Sequence, residues 1–269
     1  MAGNFVRSAL LSGAEELIRQ LGGRPPAVAR RAGVPFEALR DPDIPLPGRA
    51  AYDFLETAAD ETRCRTFGLR LGAEAHMASV IGPLYVLLRN AQTIGQMFED
   101  LAANFDIYTG IATVTIEPAD GGLLLAWSST AGYADSEVQM AEYALAVMCQ
   151  EIRRQTGTDW TSQSVEFRHA APRNLADHHR VFGRHLGFNR DRNTVFLDRA
   201  IASHASGSGA TRSRRLVTSL LRREEGVIDP TIAARVESIV RSLMPFAPCN
   251  VADVARALGM PVRTLQHQL

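Results

Sequence analysis

The stretch from Ile111 to Trp127 constrains this chain most. Ile111-Ala-Thr-Val-Thr-Ile-Glu117 alternates apolar and polar residues, Asp120-Gly121-Gly122 follows, and Leu123 to Trp127 supplies a second apolar run. An Asp-Gly turn between two such runs predicts a β-hairpin. Helical patterns flank it. Thr93-x-x-Gln96 reads as a capping box, in which the hydroxyl takes the third amide and the Gln returns to the N–H of Thr93 itself. The helix it opens is expected to run to about Tyr108. On the far side, Asp135 or Ser136 opens a long helix through Met140, Tyr143, Ala144, Val147 and Met148 to Thr156.

The same reading extends in both directions. Phe5, Leu10, Leu17, Ile18 and Leu21 support a helix ended by Gly22-Gly23, and Arg49 to Ala59 keeps helical spacing. Pro26 to Pro35, with Gly33 at a turn, imitates a helix-turn-helix. Its second helix would be only Phe36 to Arg40 before Asp41-Pro42, too short to lie in a DNA groove, so a packed helical turn is expected. After the long helix come a strand at Val165–His169, a helix near Leu175 to Phe182, and a hairpin of Leu186–Phe188 with Thr194–Leu197 across Asp191-Arg-Asn193. Strands in neighbouring antiparallel pairs, without regular βαβ alternation, place the first part of the chain in the α+β class and argue against a doubly wound nucleotide-binding sheet.

The last twenty residues, Asn250 to Leu269, have a different character. Val251, Val254, Ala255 and Leu258 define one short amphipathic helix behind the N-cap residue Asn250. Gly259 stops it and Pro261 starts the next. In that second helix Val262, Leu265 and Leu269 are the apolar positions. Arg263, Thr264, Gln266 and His267 occupy the other faces. Two helices joined by a tight glycine turn, the second carrying long hydrogen-bonding side chains, form a helix-turn-helix pattern suited to the DNA major groove, although helical hairpins of this spacing also occur in proteins that never touch DNA.

The wording of that segment narrows the choice. Val254-Ala-Arg-Ala-Leu-Gly-Met-x-x-Arg-Thr-Leu-Gln-x-x-Leu269 resembles the first helix-turn-helix of the AraC/XylS family of bacterial transcription regulators. In that family the turn is usually Gly-Met-Ser and the reading helix Arg-Thr-Leu-Gln-Arg-x-Leu. This chain departs from the pattern at Pro261, at His267, and by stopping at Leu269 where the family continues into a second helix-turn-helix. Upstream, Gly22-Gly23, Ala32-Gly-Val-Pro35, Phe67-Gly-Leu-Arg-Leu-Gly72, the Thr93 helix start, Val165-x-Phe-x-His169 with Pro172, and Phe182-Gly183 resemble the arabinose-binding-type sensor domain of one branch of the family.

The resemblance implies an α+β N-terminal domain followed by an all-α helix-turn-helix segment. It divides the chain into an effector-sensing domain at 1–205, a linker and basic helix at 206–228, and a partial DNA-binding domain at 229–269 holding the first helix-turn-helix only. Ser203 to Ala210 has the small, polar composition of a flexible linker, Arg212 to Arg223 forms the basic helix, and Asp229-Pro230 caps a scaffold helix with Ile232, Val236, Ile239, Val240 and Leu243 on one side. Promoter DNA is the implied partner, with Arg263, Thr264, Gln266 and His267 contacting it. A small-molecule effector and a homodimer are compatible with the family, and the ligand-binding residues stay open. The competing reading is a truncated sensor that does not bind DNA and dimerises with, or takes the ligand from, an intact regulator.

Charge and motif content agree with a regulator. Nine Arg against five acids from Ser208 to Leu269 make the end basic while the rest is acidic by the same margin, which suits a nucleic-acid-binding tail on a body that stays off DNA. Cys64, Cys149 and Cys249 are odd in number and far apart, as in a reducing compartment. The N-terminus has no signal-peptide pattern and Val80 to Leu88 is too short to span a bilayer, so a soluble, cytoplasmic protein without membrane contact is expected. No enzyme is expected: Gly207-Ser-Gly209 lacks the spacing and Lys of a phosphate loop, and no Gly-x-Ser-x-Gly elbow appears. No cofactor or metal is implied either. His178-His179 and His185 lack an acid or thiol at ligand spacing and read as surface or loop histidines. Arg168 and His169, neighbours on one strand, would face opposite sides of it.

Overall fold

The computed structural model describes residues 5–130, 137–157, 159–206, 251 and 262–268. The chain begins with β1, Phe5–Arg7, paired antiparallel with β2, Pro45–Pro47. A 3-10 turn at Ser8–Leu11 leads into α1, Ala14–Gln20. The helix expected from Phe5 to Leu21 therefore forms only over its second half. Pairing with β2 draws Phe5–Arg7 out straight, and the Ser8 hydroxyl donates to the Asp41 carbonyl at 2.6 Å while accepting the Ile44 N–H at 3.0 Å. Next comes α2, Pro25–Ala32, and after it Phe36–Leu39 is a 3-10 turn with Ala38 and Leu39 buried, a packed corner with no groove-length helix.

Four further helices follow: α3, Gly48–Glu61; α4, Phe67–Glu74; α5, Met77–Ile81; and α6, Leu84–Leu88. The expected cap opens α7, Ile94–Tyr108, where the Thr93 hydroxyl accepts the Gln96 N–H at 3.1 Å. Gln96 returns one residue earlier than the capping-box reading had it, its side-chain oxygen accepting the N–H of Gln92 at 2.7 Å.

β3, Ala112–Ala119, and β4, Gly122–Ser129, make the hairpin, closed by Asp120 and by Gly121 at φ +80°. β5, Val165–Glu166, is shorter than the strand expected to reach His169. Beyond it the Arg168 N–H goes to the side-chain oxygen of Asn193 at 3.0 Å in place of a ladder carbonyl, and Phe167 enters the core. The second hairpin does not form. β6, Leu186–Gly187, runs parallel to β5, whereas β7, Asn193–Asp198, lies between β4 and β5 and antiparallel to both. The sheet order is β3-β4-β7-β5-β6. Burial explains the exchange: Val195 and Leu197 of β7 are fully buried, so that strand takes the centre, while half-buried Leu186 takes the edge.

The long helix α8, Val138–Thr156, packs against α3, α4, α5, β4, β7 and α9, Ala176–Phe182. It is buried on nearly every side, as a central helix must be. α4 comes closest, because a methyl placed on Gly68 or Gly72 would overlap the carbonyl oxygens of Gln139 and Tyr143. Gln139 joins the layers: its N–H donates to Glu56 at 3.1 Å, its side-chain oxygen accepts the Gly68 N–H at 2.8 Å, and its amide donates to the Arg65 carbonyl at 2.8 Å.

After α10, Arg199–Ala202, the chain returns to α7. Ile94 N–H donates to the His204 carbonyl at 3.0 Å and Ser206 N–H to the Gln92 carbonyl at 2.9 Å, so Ser203–Ser206, read from composition as the start of a linker, is tied to the domain. The last described element is α11, Val262–Gln268. The start of the long helix at Asp135 or Ser136, the rest of the linker, the basic and scaffold helices, Cys249, Gly259 and Pro261 lie outside the described residues. Among those residues no helix is long and apolar enough to cross a membrane.

Candidate functional site

The core contains a cavity of about 60 Å³ between α8, α7, α5, β1 and the β3–β4 hairpin. α8 contributes Met140, Tyr143, Ala144, Val147 and Met148; α7 contributes Leu101, Phe105 and Tyr108; β4 contributes Trp127. Each lines it for a local reason. The helical spacing that buries α8 directs Tyr143 and Val147, four apart, to one side, and Tyr143 is held at that depth because Gly72 lets α4 press on its backbone.

Two of the four hydroxyls lining the cavity are already engaged. The Tyr52 hydroxyl donates to Ser129 Oγ at 3.0 Å, and the Thr109 hydroxyl donates to the Phe5 carbonyl at 3.0 Å. Tyr143 differs. Its residue is 4% exposed and its hydroxyl meets no partner among the described residues. Burial raises the pKa of Tyr143 well above the usual phenol value, with Tyr108 nearby adding to the effect, so its O–H stays protonated and available to donate. Tyr108 is half-buried, and burial raises its pKa too, against the opposing charge of Arg7.

A second buried polar cluster lies under α9. His178 is fully buried, with Nε2 2.7 Å from Glu142 Oε1, and His169 Nε2 lies 3.4 Å from the same oxygen. Phe167, Phe182 and Phe188 surround the two rings. The surface-histidine reading is thus corrected for His178: the fold buries it against the carboxylate of Glu142, 36 positions away in the chain. Among the described residues no group of three or more His, Cys, Asp or Glu is arranged to hold a metal. Arg168 and His169 do part company, Arg168 pairing with Glu137 at 2.6 Å while His169 turns to Glu142.

The residues read as DNA contacts fall on α11. Arg263, Thr264 and Gln266 are exposed and Leu265 is fully buried. His267 belongs to the same helix, but its side chain lies outside the described residues. Val251, assigned to the apolar side of the preceding helix, is 41% exposed. The cavity itself was missed from sequence. Its described walls come from six separate segments, and the only local signal was the run of aromatic and methionine residues at helical spacing in α8.

Comparison with known proteins supplies an independent line. Residues 22–205 match the family model described as the arabinose-binding domain of AraC transcription regulator, N-terminal. The chain is 27% identical over 271 aligned positions to the HTH-type transcriptional regulator VirS of Mycobacterium tuberculosis, in strains CDC 1551 / Oshkosh and ATCC 25618 / H37Rv, covering 99% of this chain and 79% of the relative. The crystal structure of transcriptional regulator CdpR from Pseudomonas aeruginosa shares the fold with a TM-score of 0.53 at 15% identity, over 93% of this chain and 77% of that one.

Proposed function

The chain belongs to the family of transcription regulators that carry the arabinose-binding N-terminal domain of AraC, and from that premise we propose that it reads promoter DNA through α11 under the control of a small molecule held in its N-terminal domain. The observation that carries the reading is the division of α11. Leu265 is buried as an anchor, while Arg263, Thr264 and Gln266 are open to solvent at the spacing of a recognition helix. In this reading Arg263 takes guanine O6/N7 or a phosphate, Gln266 takes a base edge, and Thr264 and His267 make weaker contacts with base or backbone. Residues 1–205 sense the effector, 206–228 connect, and 229–269 supply the DNA-binding part. A homodimer would present two such helices to paired half-sites. The effector acts only by binding one conformation of the sensing domain better than another.

Gel retardation of the DNA upstream of the chain's own gene, at low salt, tests the reading. The native chain is expected to retard that fragment, and Arg263→Ala to weaken it by about 1 to 3 kcal/mol with relaxed specificity at one position. No retardation even at low salt would end the DNA-reading proposal and leave a sensor or dimerisation partner. Retardation unchanged in Arg263→Ala would remove this residue from the contact set.

A further inference from the structure

We infer that the cavity beside Tyr143 takes a compact, neutral, mainly apolar molecule with one hydrogen-bond acceptor, such as a carbonyl oxygen, and does not take a sugar. The inference rests on the sensing role proposed above and names the chemistry of its ligand. Three observations carry it. First, the Tyr143 hydroxyl is buried, unpartnered and on the cavity wall. An unsatisfied buried donor costs about 1 to 3 kcal/mol, a cost that a ligand acceptor would relieve. Second, the Tyr52 and Thr109 hydroxyls there already donate to protein oxygens, which leaves the phenols of Tyr143 and its neighbour Tyr108 to meet a ligand. A pentose presents hydroxyls all round its ring, and this lining would leave most of them without partners, each at a desolvation cost. Among the described residues no Lys, Arg or His lines the cavity to offset a buried carboxylate.

Third, the walls can yield. At about 60 Å³ the cavity is smaller than the roughly 150 Å³ that accommodates benzene in an engineered apolar site. Met77, Met140 and Met148 line it, however, and unbranched thioether side chains repack at little cost. A ligand the size of an aryl ketone would enter by displacing those methionines, with its ring against Trp127 and Phe105 and its oxygen toward Tyr143. Among the described residues, the larger open depressions elsewhere, beside Thr93 and beside Arg70, have no buried hydroxyl left unpartnered.

The test uses the full chain with methionine methyls labelled by carbon-13, titrated with acetophenone, with ethylbenzene as a near-isosteric hydrocarbon, and with L-arabinose. Acetophenone is expected to shift the Met77, Met140 and Met148 signals and to bind roughly fivefold more tightly than ethylbenzene, the range of one net hydrogen bond. Tyr143→Phe is expected to abolish that preference while keeping ethylbenzene binding, and to leave the melting temperature unchanged or higher, because it deletes a hydroxyl with no partner. Ala144→Phe, which fills the cavity, should remove both responses. Absent shifts at millimolar acetophenone, an acetophenone preference that survives Tyr143→Phe, a lower melting temperature in that variant, or tighter binding of L-arabinose at these methionines would each overturn the proposal. The titration contains no DNA, so its failure is distinguishable from failure of the gel retardation.

Discussion

At the scale of single residues, the buried polar groups determine where substitution is costly. Glu142, on the central helix and 2% exposed at its side chain, has His178 as its closest partner. Removing the imidazole would leave most of a buried carboxylate unpaired, with His169 at 3.4 Å the nearest remaining partner among the described residues. His178→Ala is expected to destabilise the domain by about 3 kcal/mol, read from urea unfolding monitored by circular dichroism. A loss under 1 kcal/mol would show that water or His169 replaces it. Tyr85 illustrates the same rule at the other buried acid of α8. Its hydroxyl donates to Glu151 at 2.7 Å, and burial together with that carboxylate pushes its pKa up to about 12. None of these pairings can be read along the chain, because the partners are separated by 36 and 66 positions.

At the scale of elements, the α4–α8 contact shows how spacing becomes geometry. Phe67-Gly-Leu-Arg-Leu-Gly72 places its two glycines four apart, on one face of α4, and that face lies directly on the backbone of α8. Glycine inside an exposed helix normally costs 0.5 to about 1 kcal/mol relative to alanine. Here the sign reverses, because a methyl at Gly68 would overlap the Gln139 carbonyl, a backbone atom unable to swing aside. Gly68→Ala is expected to cost about 1 to 3 kcal/mol in chemical unfolding, and Gly72→Ala to do the same while disturbing Tyr143. At the start of α7, Thr93→Ala should cost about 1 kcal/mol by freeing the Gln96 N–H. A gain in stability in any of these variants would contradict the packing or capping described.

For the whole molecule, a clasp on Asp177 links α4 to α9. Its carboxylate accepts from the Thr66 hydroxyl at 2.7 Å and from Arg70 Nε at 2.7 Å. Burial alone would raise its pKa, but these hydrogen bonds and the charges of Arg70 and Arg180 outweigh that and hold it below the ordinary aspartate value. A carboxyl lowered by folding contributes stability that is present above its unfolded pKa, near 4, and lost as pH falls through the lowered folded value. Urea midpoints should therefore drop between pH 5 and pH 3, and Asp177→Asn should show a smaller drop from a lower starting point. An identical pH dependence in the variant would exclude Asp177 as a source.

Local patterns in the chain determined the Thr93 cap of α7, the β3–β4 hairpin, the run of α8 from Val138 to Thr156, and in α11 the burial of Leu265 beside exposed Arg263, Thr264 and Gln266. Each depends on residues a few positions apart, whose spacing sets which face they share. The sheet order, the parallel β5–β6 edge, the short β5, the burial of His178 and the cavity at Tyr143 were decided only by tertiary structure. There the controlling quantity is the competition of distant segments for the same buried space, and β7, being the more apolar strand, displaced β6 from the place that adjacency alone would have assigned it.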